Sequence, residues 1–392
     1  MKTHSKNKRL EIILCCASTK LETSQIKRLE KLVKDAVDWQ PILDLAIEHG
    51  LINFLYYHLK NTCKELVPKN FFILLQRYYF QNSARNLSLS ASLIKLVNLL
   101  KKNNITVVPF KGPVQAQILY KDPGLRSFSD LDILVKREDA VNARNLLFQN
   151  GFTTDIIIPD NQLIKYLAKE NFFTLISRSG SIVIDLHWEM TGRYSLYPLY
   201  LEDLPGSLEN AKLVDINILS LSCEDMLIQL CIHGTSHCWD KLEMVCSVAE
   251  IVKSNRIKDW DGIIRRASRF KCRRMIYLGL LLAKHLFDIV LPGEIEASMK
   301  NDLRINKLSK RILQNILKEK TAYTESLSWR FSPTHFLVRD NLFDMVHYFF
   351  RLLFRPTVRE WIKYPLPDSL LFLYYILRPY RLIKDGLRGK NA

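Results

Sequence analysis

Two carboxylates one residue apart open the apolar run of "RSFSDLDILV", residues 126–135. In a strand, residues two apart face the same side, so Asp130 and Asp132 project together while Leu131 points away. Their Cβ atoms then lie roughly 7 Å apart, from a rise of about 3.3–3.4 Å per residue. Two anions at that spacing repel unless something positive sits between them. Mg²⁺ is commonly held by one or two carboxylates together with substrate phosphates. A solvated strand end is the plain alternative for such a pair taken alone.

A third carboxylate follows in "SIVIDLHWEM", where Asp185 comes after three apolar residues. A buried carboxylate is normally paired, hydrogen-bonded or bound to metal. If this segment lies beside "DLDILV", three carboxylates meet on one sheet face. That set is sufficient for a two-metal site, in which one ion activates an attacking hydroxyl and the other holds a triphosphate. His187, two residues on, shares the face of Asp185, and Trp188 points to the other side as a core residue.

"PFKGPVQAQILY" supplies the third element, with Lys111-Gly112 between a strand and a helix. Backbone N–H groups at a helix N-terminus can cradle a phosphate. Gly112 permits close approach of the backbone, and Lys111 adds a point charge. Arg126, four residues before Asp130, is a further phosphate-binding candidate or an exposed loop charge.

These residues must be held by strands and helices, and the pattern of the chain provides them. Residues 20–103 carry apolar residues at helical spacing, with Gly50 a C-cap and Pro68 in the first turn of a later helix. After Asn104 the pattern changes to "ITVVPF", a short β-branched strand, then the helix "GPVQAQILYKD", then the strand "DLDILV". "REDAVNARNLLFQNGF" reads as a helix and "TTDIII" as a strand. "NFFTLISRSGSIVIDLHWEM" reads as a hairpin turning at Arg178-Ser179-Gly180-Ser181. From "LSCEDMLIQLCIHG" onward the chain is helical. The expected division is a helical region at 1–104, an α/β core at 105–215 and a helical domain at 216–392.

Glycine at a strand–helix turn, then Asp-x-Asp on the next strand, then a lone Asp on a later strand resembles the nucleotidyltransferase fold of the DNA polymerase-β superfamily. More narrowly, "FKGPVQAQILYKDPGLRSFSDLDILV", "IDLHW", "LCIHGTSHCWDKLEMV" and "DWDGIIRRA" are similar to a family of bacterial nucleotidyltransferases. "DWQPILDLAIEHG" and "YYILRPYRL" extend the likeness towards both ends. The run Lys111–Asp132 with "DLHW" is its specific part. The resemblance implies an α+β fold, a mixed sheet with helical regions before and after it. It implies metal-dependent transfer of a nucleoside monophosphate from an NTP such as ATP to a hydroxyl of a small-molecule, peptide or glycan acceptor, with two Mg²⁺ ions. Asp130, Asp132 and Asp185 would be the metal ligands, Asp185 also the base for the acceptor. Lys111, Gly112, Arg126 and His187 would hold nucleotide and phosphate. The wider superfamily follows the glycine with serine, whereas Pro113 follows here, so Lys111 and Arg126 must take over part of the triphosphate grip. A catalytically lapsed nucleotide-binding adaptor and an RNA-directed transferase are the alternatives.

The remaining features bound the partners. The 392 residues are 48% hydrophobic and 25% charged, the composition of a folded globular chain. The net charge of +17 favours anionic partners without choosing among nucleotides, nucleic acid and an anionic membrane surface. No apolar run is long enough to span a bilayer, and the apolar stretch at 12–17 is too short for a secretory leader, so a cytoplasmic protein is expected. Eight cysteines without a Cys-x-x-Cys pair read as reduced thiols. Cys223, Cys231, Cys238 and Cys246 read as one helical stripe. His233 and His237 stand at i, i+4, which is zinc-ligand spacing, but more simply line an acceptor pocket. The tail from Leu342, rich in Phe, Tyr, Arg and Lys, reads as an apolar helix packed on the core with a basic rim. A membrane-touching interfacial segment is the other reading.

Overall fold

The structure, a computed structural model, describes residues 2–35, 38–191, 196–204, 206, 208–316, 332–364 and 366–388. Five helices open the chain: α1 (Lys2–Cys16), α2 (Thr23–Lys34), α3 (Gln40–Glu48), α4 (Ile52–Thr62) and α5 (Lys69–Lys102). Gly50, just past α3, has φ +71°, the left-handed conformation expected of a helix-terminating glycine. Pro68 is the N-cap of α5.

A mixed sheet follows, built from β1 (Val107–Pro109), β2 (Leu131–Val135), β3 (Phe152–Thr153), β4 (Phe172–Ser177) and β5 (Val183–His187). Its order is β1-β2-β5-β4-β3, with β2 and β5 parallel at its centre and the other pairs antiparallel. The fold is therefore α+β, as the sequence indicated. Helix α6 (Gly112–Tyr120) joins β1 to β2, α7 (Ala140–Gln149) precedes β3, and the short α8 (Leu163–Leu167) precedes β4. The β4–β5 hairpin turns through Arg178–Gly180 as expected.

The pleat of the sheet feeds two apolar cores. Leu131, Ile133 and Val135 of β2 join Ile184, Leu186 and Trp188 in one, while Leu134 and Phe110 join the other. That second core runs without a break from α1 through α9 (Cys223–Ser236), α10 (Leu242–Lys253), α11 (Trp260–Arg269) and α12 (Arg273–Phe287). The helices before and after the sheet thus pack together rather than flank it separately. Buried polar contacts join the two groups: Ser18 Oγ donates to Glu250 Oε1 at 2.9 Å.

Three expectations are corrected. Of "TTDIII" only Thr153 lies in a strand, and the apolar run after it pairs with no strand, leaving Ile157 92% exposed. A second sheet, the hairpin of β6 (Leu208–Leu213) and β7 (Ile216–Leu221), was not foreseen. Its turn places β-branched Val214 at φ +57°, where glycine or asparagine would have signalled it. The four cysteines do not form one stripe. Cys223 and Cys231 lie on α9, Cys246 on α10, and the chain breaks helix between them, with Cys238 and Trp239 both at positive φ. Trp239 is fully buried, and its ring closes on Gly234 and Gly279, where a Cβ would meet it at 2.5 Å and 2.9 Å.

Candidate active site

Parallel pairing of β2 with β5 sets Asp132 directly opposite Asp185, and Leu134 opposite His187. Because alternate residues share a face, Asp132, Asp185 and His187 come together on the side away from Leu131 and Ile133. One donor atom from each lies within 4.8 Å of the others. Asp130 falls just before β2 and lines the same cavity without joining that trio.

Each member of the trio is fixed by a neighbour. The Lys111 ammonium donates to Asp132 Oδ1 at 2.7 Å, and His187 Nε2 lies 3.0 Å from the same oxygen. Thr174, opposite Asp185 on β4, donates its hydroxyl to Asp185 Oδ1 at 2.8 Å. The His187 ring is held between Phe110 and Phe172, at centroid distances of 5.0 Å and 4.9 Å. Its Nδ1 is buried without a hydrogen-bond partner in the structure.

The carboxylates differ in charge affinity although they are the same residue type. Burial by itself would push Asp132 up, but the Lys111 ammonium and the His187 hydrogen bond outweigh it and hold Asp132 well below the usual carboxylate range. Asp185 is pushed up by burial and by the charges of Asp132 and Asp130, against the opposing pull of His187 and Thr174. Asp130 is also pushed up, first by burial and then by Asp132.

Lys111 caps α6, and Gly112 takes φ +59°. A Cβ on Gly112 would stand 3.3 Å from the Asp130 carbonyl oxygen, so the helix start and the strand start approach closely only with glycine there. Arg126 lines the cavity, but its guanidinium is engaged: Nε donates to Glu243 Oε1 at 2.7 Å, and Nη1 contacts the Gln115 side-chain oxygen. Its loop is tied to α5 by Asn86 Nδ2, which donates to the Pro123 and Arg126 carbonyls at 2.6 Å and 2.7 Å. Arg126 therefore bridges the loop to α6 and α10.

The site is the floor of a cavity of about 850 Å³. His233 and His237 stand on its α9 side with ring centroids 4.6 Å apart. Burial, and then the nearby cations led by Lys111, lower both, His237 to about 4, so they face the cavity as neutral rings. Asp132, Asp185 and His187 form the one cluster of potential metal ligands among the described residues. Sequence reasoning missed Thr174, which no motif marks. It also missed Thr357 and Arg359, which reach the cavity rim from more than 170 positions beyond Asp185.

Two hard carboxylates with an imidazole, clustered in a half-buried pocket, suit a divalent cation. Their donor atoms face one another around a charge that Lys111 now balances. An aligned Asp–Asp pair on parallel strands, beside a lysine at a helix N-terminus and under a ligand-sized cavity, is the equipment of an enzyme acting on phosphorylated substrates. The model of an uncharacterised nucleotidyltransferase family matches residues 35–288, more than half of the chain. The protein belongs to that nucleotidyltransferase family. Comparison with curated proteins and with solved structures gave no significant match.

Proposed function

We propose that the protein transfers a nucleoside monophosphate from an NTP to a hydroxyl of a small-molecule, peptide or glycan acceptor in a cytoplasmic biosynthetic pathway. In this reading it is a polymerase-β-type nucleotidyltransferase whose chemistry resides in the unit 105–215, with helices before it and, past β7, helices after it. The observation that carries the proposal is the register of β2 and β5, which aligns Asp132 with Asp185 beside Lys111-Gly112.

Asp132 and Asp185, with His187 or Asp130 completing the set, would hold divalent ions, Mg²⁺ being the natural partner of a triphosphate. Such ions would supply acidity to the acceptor hydroxyl and charge neutralisation to the triphosphate. Asp132, kept ionised by Lys111, remains a ligand at any physiological pH. Lys111 and the Gly112 backbone, both lining the cavity at the start of α6, meet the triphosphate. Asp185, whose proton affinity is raised, takes the hydroxyl proton as the acceptor oxygen bonds to the α-phosphorus. The bond from that phosphorus to the bridging oxygen breaks, and pyrophosphate leaves. Arg126 holds the loop against α10 rather than gripping phosphate directly.

Two observations support a lapsed nucleotide-binding protein instead: Lys111 already satisfies Asp132, and Pro113 stands where a hydroxyl is usual in the superfamily that the chain resembles. Transfer of label from α-labelled NTPs, with Mg²⁺ or chelator and with wild type or Asp132→Ala, decides. Metal-dependent labelling by wild type alone is expected. Intact nucleotide binding with no labelling of protein or acceptor by either form would overturn the enzymatic reading.

A further inference from the structure

The C-terminal segment 332–388 is built inside out. In its helix Leu342–Phe354 the buried residues are Asp344, Tyr348 and Leu352, while Leu342, Phe343, Val346, Phe350 and Phe354 face solvent, Phe343 at 74% exposure. In the helix Tyr374–Arg388, packed against it, Arg378 and Arg381 are buried and Ile376, Tyr380 and Ile383 are exposed. Half of the large apolar side chains exposed among the described residues lie in this segment.

The charges are sorted as well. Glu360 is fully buried between Arg378 and Arg381, and Asp385 pairs with Arg381. Asp344 is buried against Asn341, and Asp340 accepts the backbone N–H groups of Arg273 and Arg274. No acidic side chain described in this segment is exposed, whereas Arg359 and Lys363 are. The outer face is therefore apolar and cationic. A protein surface in water normally shows the reverse sorting.

We infer that this face docks on a bilayer with anionic headgroups, its helices lying in the interface with Phe343, Val346, Phe350, Ile376 and Ile383 entering the acyl boundary. Charge selects this occupant. A second copy would set cation against cation, while anionic lipid attracts juxtamembrane Lys and Arg. The aliphatic side chains argue against nucleic acid, on which aromatic rings stack but Val and Ile do not. At about 1.5 Å per residue both helices are shorter than the hydrocarbon core is thick, so they lie on it. No helix among the described residues is long and apolar enough to cross a membrane. Thr357 and Arg359 continue from the first helix to the cavity rim, which places the cavity beside the bilayer. The inference stands independently of the proposed reaction.

Vesicle flotation of the full chain tests it, with phosphatidylcholine alone or with about 30% phosphatidylglycerol, a charge density at which each basic side chain near the surface adds attraction. Wild type should float with the anionic vesicles, stay in solution with neutral ones, and be released by salt. Phe343→Asp/Ile376→Asp should lose at least about tenfold in partitioning, since each apolar side chain withdrawn from the acyl boundary forfeits its transfer free energy, with an unchanged circular dichroism melt. Lys363→Glu should weaken binding while leaving every apolar side chain in place. Equal flotation of wild type and the double variant would overturn the inference. So would a dimer in sedimentation, or RNA retention, that the double variant abolishes while flotation is absent.

Discussion

In the central sheet Leu131, Ile133, Ile184 and Leu186 enter the core and Asp132, Asp185 and His187 turn to a cavity. In the C-terminal helices Arg378, Arg381 and Glu360 are buried, and Phe343, Ile376 and Ile383 face outward. Both regions hold carboxylates against cations, but to different ends. Lys111 and Asp132 form a pair that lines a ligand-sized cavity. Glu360 is closed on all sides, also accepting from the Thr357 N–H and hydroxyl at 2.6 Å and 2.7 Å. The difference teaches that a buried charge is a sign of function only where the surrounding space admits something else.

The contrast can be broken at several points. Asp132→Ala should lower nucleotidyl transfer about a thousandfold or more, because metal-assisted charge stabilisation is worth several kcal/mol, while the fold melts normally; initial rates with α-labelled NTP measure it. Glu360→Ala should remove the carboxylate that the buried Arg378 and Arg381 share and cost about 3–5 kcal/mol in urea unfolding, with little change in nucleotide binding. Phe350→Ser, on the exposed face of the same segment, should shift stability by less than about 0.5 kcal/mol. If the exposed substitution proved the costlier of the two, the inside-out description would be wrong.

Smaller effects sharpen the description of the sheet. Asp130 and Asp185 hold protons above the usual carboxylate range, so cation binding must displace them. Affinity for Mn²⁺ should therefore fall as pH drops through that raised range, by up to about tenfold per pH unit for each carboxyl. Asp132, held low, should contribute nothing to the slope there. Calorimetric titration of wild type and Asp130→Asn separates the two contributions. Gly112→Ala should cost about 1–2 kcal/mol, the penalty for an L-residue in the left-handed region, and should weaken NTP binding by crowding the Asp130 carbonyl; paired melting and binding curves would show both.

Much of the sheet was legible because alternation is a local property. Asp130-Leu131-Asp132 and Ile184-Asp185-Leu186 each announce which residue turns to which side. The β4–β5 hairpin carried Ser-Gly in its turn, and α6 its Lys-Gly start. The β6–β7 hairpin was hidden because Val214 occupies a turn position that sequence rules reserve for other residues. The partner of Arg126 was hidden for another reason. Glu243, which accepts from its guanidinium, stands 117 residues away, and no local pattern links the two.

The sequence by itself determined the strands β1, β2, β4 and β5, the inward and outward faces of β2 and β5, and the residue types able to hold metal and phosphate, because these follow from spacing over a few residues. Only the tertiary structure decided that β2 and β5 run parallel with Asp132 opposite Asp185, since pairing between distant segments is set by the packing of the whole sheet. It likewise decided that His187, more than Asp130, completes the cluster with Asp132 and Asp185. And it turned the apolar stripes of the C-terminal helices outward, the reverse of the packed helix expected from composition. A periodic stripe specifies an amphipathic helix, but which face is buried depends on the partners available to its charges, and here Glu360 captured Arg378 and Arg381.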